Sequence, residues 1–394
     1  MKAIRKTIFW LHLCLGVVGG IVIFVMCVTG AALSFEKNII ASVEYDQRHV
    51  AVGERRLPPS VLLANVLSTK PGARPSSVAA TSDPTEVVTV GFGRDGQVFV
   101  DPYTGSITGE GNKGVRVFFG FMTDLHRWLA LSGDGRGWGR AITGACNLMF
   151  LGLAITGIYI WFPRRMTWKH LRPVTWFRGG INGKAREFNW HNTIGFWTSL
   201  VLIVLTVTAA VISYQWAGNL LYTLTGNEVP QRNEQPRPAA PPEQQPFVVP
   251  ENIDALWAAA EGQVAGWKMI STRLPFGKDA AFTIDEGTST NPFGRASLTL
   301  DPATAAVMKW EPYAEKNSAV QVRSWFRFTH TGESFGVIGQ LIGFVACIGG
   351  AFLVYTGFAL ALRRLAASLR SRSRATAGSM SKDGGSRRPQ PQAP

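Results

Sequence analysis

Acidic residues, cysteine and histidine are all scarce in this chain of 394 residues: 26 Asp and Glu stand against 40 Lys and Arg, with four Cys and six His. Cys14, Cys27, Cys146 and Cys347 make no C-x-x-C or C-x-x-C-H motif, and each falls inside a long apolar stretch. That spacing excludes a disulfide framework and thioether attachment of a cofactor. The thiols read as small buried hydrophobes. No Ser-His-Asp triad stands out in the sequence.

What the chain has is apolar length. Hydrophobic residues make up 46% of it, yet the formal charge is +14, a combination rare in soluble domains. The apolar residues gather in four runs, Ile8–Phe35, Ala141–Phe162, Phe188–Tyr214 and Val337–Leu362. Each reaches the roughly 20 residues that cross about 30 Å of hydrocarbon. The first follows Lys2, Arg5 and Lys6 but far exceeds the h-region of a secretory signal, about 7–15 residues, and is expected to stay as an anchor.

Charge orients the four spans. With the N-terminus inside, residues 1–7, 163–187 and 363–394 are cytoplasmic and hold 18 Lys and Arg against two acids, Glu187 and Asp383. The bias is sharpest beside the apolar runs, at Arg164, Arg165, Arg363 and Arg364, where the positive-inside rule applies. The basic balance therefore reports topology and anionic lipid, with no call for nucleic acid.

The chain is also written twice. At an offset of 179, His12 falls on His191, Gly16 on Gly195, Thr29 on Thr208, Ala31 on Ala210 and Ser34 on Ser213. At an offset of 200, Gly139 meets Gly339, Ile142 meets Ile342, and Thr156-Gly157 meets Thr356-Gly357. His126 and His330 differ by 204, which assigns about four extra residues to the Gly-rich loop Ser132–Gly137. Each half is thus helix, polar lobe, helix, and a direct duplication of equal topology predicts a pseudo-twofold axis along the membrane normal.

The lobes have a strand-and-turn texture. Glu86–Val90 and Gln97–Val100 flank Gly-Arg-Asp-Gly as a hairpin. Asp101-Pro-Tyr-Thr-Gly105 and Asp301-Pro-Ala-Thr-Ala305 are matching turns, the second lacking the glycine that accepts φ > 0. Ala281–Ile284, Ala296–Leu300 and Val307–Trp310 read as strands and Ile253–Gln263 as a helix. Asn227–Pro246 is an extended linker, and the tail from Ser368 is expected to be disordered.

Four histidines stand where an apolar run begins. An imidazole beside lipid is costly unless partnered, so each is a functional candidate. Topology puts His12 and His191 at one cytoplasmic depth, and His126 and His330 near the outer face. Two imidazoles on facing helices are what a haem b iron takes as axial ligands, so the pairs His12/His191 and His126/His330 read as sites for two haem b. Gly16 and Gly20 follow His12 at steps of four, and Gly195 and Ser199 follow His191, giving stripes where a flat macrocycle can approach the backbone. The same stripes equally suit plain helix–helix contact. His126 needs a short surface helix, Val117–Leu131. Arg127, Arg140 and Arg327 lie near the outer histidines and suit haem propionates or lipid phosphate alike. His49 and His170 have neither repeat partner nor apolar context and read as solvent residues. Trp10, Trp128, Trp138, Trp161, Trp168, Trp190 and Trp325 mark membrane interfaces.

On Leu11-His12 with Gly16 and Thr29-Gly30, Leu125-His126-Arg127-Trp128-Leu129 ahead of Gly139-Arg140, Trp190-His191-Asn192 with Gly195, and Thr329-His330-Thr331-Gly332 ahead of Gly339, the chain resembles the PepSY-associated transmembrane helix family, particularly its FoxB-type siderophore (ferric) reductases. The resemblance covers roughly residues 5–365. It implies an α-helical membrane protein with four transmembrane helices in two repeated halves and two small α+β PepSY-like lobes. The expected division is 1–36 helix one, 37–116 lobe one, 117–163 surface helix and helix two, and 164–187 a cytoplasmic loop. Then come 188–216 helix three, 217–324 linker and lobe two, 325–364 helix four, and 365–394 a disordered cytoplasmic tail. It further implies a bacterial inner-membrane enzyme with periplasmic lobes that reduces ferric siderophore and releases Fe(II). The sequence reading places no G-x-G-x-x-G fingerprint after a strand, so the donor is expected to be quinol or a separate cytoplasmic reductase. The alternatives are a quinol-linked conduit to another periplasmic acceptor, or a haem-free lobe that binds peptide or a partner protein.

Overall fold

The computed structural model describes residues 2–162, 167–230, 246–289 and 291–383. Arg164 and Arg165, most of the linker (231–245) and the last residues of the tail (384–394) lie outside the described residues. Two compact units emerge: Met1–Ala31 with Asp124–Ala210 and Ile342–Pro394, and Ala32–Thr123 with Val211–Leu341. In chain order the helices are α1 (Lys2–Leu33), α2 (Glu36–Val43), α3 (Tyr45–Arg48), α4 (Pro59–Thr69), α5 (Lys113–Trp128) and α6 (Gly135–Trp161). After these come α7 (Trp168–Thr175), α8 (Gly183–Ser213), α9 (Gln215–Leu224), α10 (Ile253–Gln263), α11 (Ser318–His330) and α12 (Gly336–Asp383).

The first unit is a bundle of the four long apolar helices α1, α6, α8 and α12, each long and apolar enough to cross a membrane. No Asp, Glu, Lys or Arg interrupts α1 after Lys6. The outward residues of the bundle are apolar, with Val18 73% and Ile21 72% exposed on α1 and Leu200 72% on α8, the reverse of a soluble bundle. The inner core is small: Ile23, Cys27, Cys146 and Ala351, with Met26, Phe150 and Leu153 against them. Contacts repeat under exchange of halves. α1 meets α6 where Gly16 faces Leu153, and α8 meets α12 where Gly195 faces Leu353, as the predicted twofold requires. α12 continues to Asp383, so residues 365–383 of the tail expected to be disordered are helical. α6 and α8 begin at Gly135 and Gly183, earlier than the apolar runs, because their first turns are polar.

The second unit is built on one antiparallel sheet. Its strands are β1 (Ser77–Thr81), β2 (Val88–Gly91), β3 (Gln97–Val100), β4 (Ile107–Gly109), β5 (Met269–Arg273), β6 (Ala280–Asp285), β7 (Ala296–Leu300) and β8 (Val307–Glu311). The expected hairpin and the three second-lobe strands are present, and α10 spans the expected Ile253–Gln263. The two lobes, however, are fused: the order is β4-β3-β2-β1-β5-β6-β7-β8. β1 pairs with β5 from Ser77↔Arg273 to Thr81↔Met269, centred on Ala79↔Ser271. Two edge strands that would each expose a hydrogen-bonding row instead satisfy one another. Both lobes share one core, in which Leu62, Leu63 and Val66 of α4 and Ile253, Leu256 and Trp257 of α10 cover Val78, Ile270, Phe282 and Leu298. At the helix starts, Asp254 accepts from the Ser60 backbone N–H at 2.8 Å and from its hydroxyl at 2.5 Å.

The matching turns are built alike, although the second has alanine where the first has glycine. Asp101 Oδ1 accepts from Tyr103 N–H at 2.8 Å, and Asp301 Oδ1 from Ala303 N–H at 2.8 Å. Both close with a backbone bond of 2.9 Å, Gly105 to Asp101 and Ala305 to Asp301. Ala305 adopts the glycine's left-handed conformation, φ +56° against +72°. That conformation costs an L-residue roughly 1–2 kcal/mol. Ala305→Gly is expected to stabilise the protein by about 1 kcal/mol and Gly105→Ala to destabilise it by as much, read as opposite shifts in Tm.

The spacing G-x-G-x-x-G does occur, at Gly109-Glu110-Gly111-Asn112-Lys113-Gly114, between β4 and α5. β4 is an edge strand of an antiparallel sheet, so no parallel crossover stands behind it. Its amides are taken by the protein itself: Gly111 N–H donates to Gln47 Oε1 and Asn112 N–H to Glu44 Oε1, both at 2.9 Å. Glu44 is fully buried and also accepts from Arg116 at 2.5 and 2.6 Å and from Arg48 at 3.0 Å. Burial alone pushes its carboxyl up, but the bonds from Arg116, Asn112 and Arg48 prevail and hold it below the ordinary carboxylate range. Stabilisation from a depressed carboxyl is present above its unfolded pKa, about 4.3, and lost as pH falls through the folded value. Glu44→Gln is therefore expected to cost roughly 3–5 kcal/mol at neutral pH. The gap from wild type, followed by thermal unfolding, should close below the ordinary carboxylate range.

Candidate functional site: histidines held by Thr-Gly pairs

Three of the four candidate histidines lie in the bundle unit, and all three are held in one way. His12 Nδ1 meets Thr156 Oγ1 at 2.9 Å, His191 Nδ1 meets Thr356 Oγ1 at 2.9 Å, and His126 Nδ1 meets Thr29 Oγ1 at 2.8 Å. A hydroxyl has one proton to give. Each of these threonines is within donating distance of the carbonyl one turn earlier in its own helix: Thr156 to Gly152 at 2.6 Å, Thr356 to Phe352 at 2.8 Å and Thr29 to Val25 at 2.7 Å. A hydroxyl that gives its proton to that carbonyl accepts from the imidazole, which then carries its own proton on Nδ1. The lone pair then resides on Nε2, the state in which a histidine binds a metal.

The residue after each threonine is glycine, and the ring lies over it. A Cβ built on Gly157 would stand 3.4 Å from His12 Cε1, one on Gly357 3.6 Å from His191 Cε1, and one on Gly30 3.4 Å from His126 Cε1. Thr-Gly thus supplies an acceptor and a space on one helix face. In the sequence, Thr156-Gly157 and Thr356-Gly357 stand out only as repeat partners, with nothing local to mark a role. The signal was the same dipeptide recurring opposite three histidines, legible only once the helices are paired.

The structure brings His12 and His191 together. Their ring centroids are 6.4 Å apart and the planes stand at 85°. Both rings are partly buried. Gly16 and Gly195, one turn on, have only ordinary neighbours: an added Cβ would meet Leu153 at 3.7 Å and Leu353 at 3.6 Å. Protein packing does not demand glycine there, although a helix-interior glycine costs about 0.5–1 kcal/mol relative to alanine. Gly20 differs, since its Cβ would strike the Phe358 ring at 2.7 Å, so helix packing accounts for it.

His126 sits near the end of α5, which closes on two left-handed residues, Leu129 (φ +53°) and Ala130 (φ +57°). Their N–H groups donate to Leu125 O and Asp124 O at 3.0 Å. Side-chain-bearing residues in this conformation are strained, and such strain collects at functional sites. The chain then turns so tightly that a Cβ on Gly139 would collide with the Trp128 backbone. His330, in the other unit, is the last residue of α11, which stops at left-handed Gly332. A Cβ on Gly339 would likewise collide with the Gly332 backbone, which explains the matched glycines 139 and 339. Arg127, Arg140 and Arg327 are exposed, with Arg127 over the Trp128 ring at 4.6 Å and Arg327 over Phe328 at 5.9 Å.

His170 is exposed as expected, whereas His49 is half-buried, stacked on Tyr45 at 4.0 Å. Cys27 and Cys146 are buried and Cys14 lies on the bundle surface; all four thiols are free. Trp161 and Trp197 donate to Val174 O at 3.2 Å and Thr175 O at 2.9 Å, anchoring α7 to the bundle.

Four apolar helices around partly buried histidines, with an antiparallel sheet in a separate unit, define a multi-pass membrane protein. The chain belongs to the PepSY-associated TM region family, whose model matches residues 9–364. No curated protein matches the chain.

Thr356→Val removes the Thr356 hydroxyl from His191 Nδ1 and is expected to lower stability in detergent by about 1 kcal/mol. Thr356→Ser, which keeps the acceptor, should restore most of it in the same melting assay.

Proposed function

We propose that the chain is an inner-membrane di-haem b reductase that transfers electrons to ferric siderophore on the periplasmic side and releases Fe(II). The observation that carries this reading is the 6.4 Å spacing of the His12 and His191 rings with crossed planes. At that spacing the two rings are close enough that His12 and His191 would together hold one iron between them. Among the described residues no three His, Cys, Asp or Glu side chains gather into a metal site. A pair suffices where a macrocycle supplies the equatorial donors, and haem is such a group.

When bound, haem supplies one-electron transfer between ferric and ferrous iron. The chain's residues do the rest. Thr156 and Thr356 stand against Nδ1 of the two rings, and by accepting there they would leave both Nε2 atoms free to bind iron. Gly157 and Gly357 give the rings room, and Gly16 and Gly195 leave bare backbone for a flat group one turn further in. Of the histidines that the sequence assigns to the outer depth, His126 is held by Thr29-Gly30 as the inner two are held, and it would be a ligand of the second haem. From His12 to Gly30 the chain rises about 27 Å along α1, so the two levels lie toward opposite ends of the span. Ferric siderophore is the substrate expected from the family resemblance, since Fe(II) is bound far more weakly by such hard-oxygen chelators. Quinol or a separate reductase is the donor this reading requires.

The test is a pyridine haemochrome count on purified protein, with ferric siderophore reduction followed in membrane vesicles. Two haems b per chain are expected, with one lost in His12→Ala or His191→Ala together with reductase activity. No haem in a folded wild-type protein would overturn the proposal and leave the sheet, as a partner-binding surface, as the reading to pursue.

A further inference from the structure

Glu187 is the single acid in residues 163–187, among seven Lys and Arg, yet it is only 7% exposed. Its two oxygens accept from Arg363 Nε and Nη2, both at 2.7 Å, a bidentate fork that fixes distance and angle together. Glu187 lies one turn before His191 on α8, on the same face. Arg363 lies two turns beyond Thr356 on α12. The antiparallel helices are therefore joined by two successive rungs, Glu187–Arg363 and His191–Thr356, before the contact of Gly195 with Leu353. Sliding one helix by a turn, about 5.4 Å, breaks both rungs at once. Among the described residues the other half shows no such ion pair. The repeat position of Glu187 is Ile8, and α1 is held there by Arg5 donating to the Ile160 carbonyl at 2.5 Å.

We infer that Glu187 is a positioning residue for the paired histidines: its fork to Arg363 sets the register of α8 on α12 that brings Thr356 to His191 Nδ1. The inference rests on the proposed haem reading only for the consequence, that His191 presents Nε2 at a fixed angle. The register itself is a property of the protein alone. The ion pair has replaceable chemistry but a required geometry, so charge reversal across the pair keeps it while neutralisation does not.

The test uses full-length protein in detergent with two readouts, hydrogen exchange of residues 184–193 in haem-free protein and the midpoint potential after haem loading. Glu187→Gln is expected to speed exchange in that segment by about tenfold and to shift the potential. The double variant Glu187→Arg/Arg363→Glu should return both toward wild type. Unchanged exchange in Glu187→Gln would overturn the lock whether or not haem binds. Faster exchange with an unshifted potential would show a purely structural clamp and overturn the positioning role. Wild-type protein that takes up no haem would defeat the haem reading, and the exchange result would still decide the register.

Discussion

A threonine hydroxyl has one proton, and in this bundle a carbonyl of its own helix and a histidine both stand within its reach. When Thr156, Thr356 and Thr29 give that proton to the carbonyl, the facing imidazole donates to the hydroxyl from Nδ1. Everything else about the site follows from that constraint. The ring orientation is set by where the hydroxyl stands, and the glycine that follows sets how near the ring comes. The pairing of helices is set by which histidine meets which threonine. An unpaired imidazole N–H in hydrocarbon would cost as much as a lost buried hydrogen bond, so a register that misplaces the threonine is disfavoured by the membrane itself.

Duplication makes this arrangement economical in sequence. One rule, histidine against Thr-Gly, is used on α1 with α6 and again on α8 with α12. The sheet uses its duplication differently: the two four-stranded lobes meet through the equivalent strands β1 and β5, so their pseudo-dyad passes between Ala79 and Ser271. Departures from symmetry are few and local. Ala305 tolerates a glycine's backbone, Glu187 and Arg363 occur in one half only, and Glu44 fills a glycine-rich turn with the protein's own carboxylate.

Much of this was legible in the sequence because lipid imposes long, unambiguous signals. Four charge-free runs gave four helices, and the histidines at their ends were separable by depth from topology alone. The strand pattern of Ala281–Ile284 and Ala296–Leu300 and the helix Ile253–Gln263 were readable from alternation and from an apolar stripe. The β1–β5 seam was not, since nothing local in Ser77–Thr81 or Met269–Arg273 tells an edge strand from a central one; partner choice is a long-range property. The threonines were missed for the opposite reason: their role lies across a helix interface, while within α6 or α12 they look like ordinary back-bonded side chains. The helical continuation of the tail to Asp383 was hidden by a Ser- and Arg-rich composition that suits solvent in either state.

The central claim is that His12 and His191 share one iron in the geometry the helices already hold. The direct measurement is the low-temperature electron paramagnetic resonance spectrum of the oxidised, haem-loaded protein. Two axial imidazoles at 85° predict a low-spin ferric signal of large g anisotropy, as crossed ring planes produce, lost in His191→Ala. A high-spin ferric signal, or a spectrum indifferent to His12 and His191, would contradict the account.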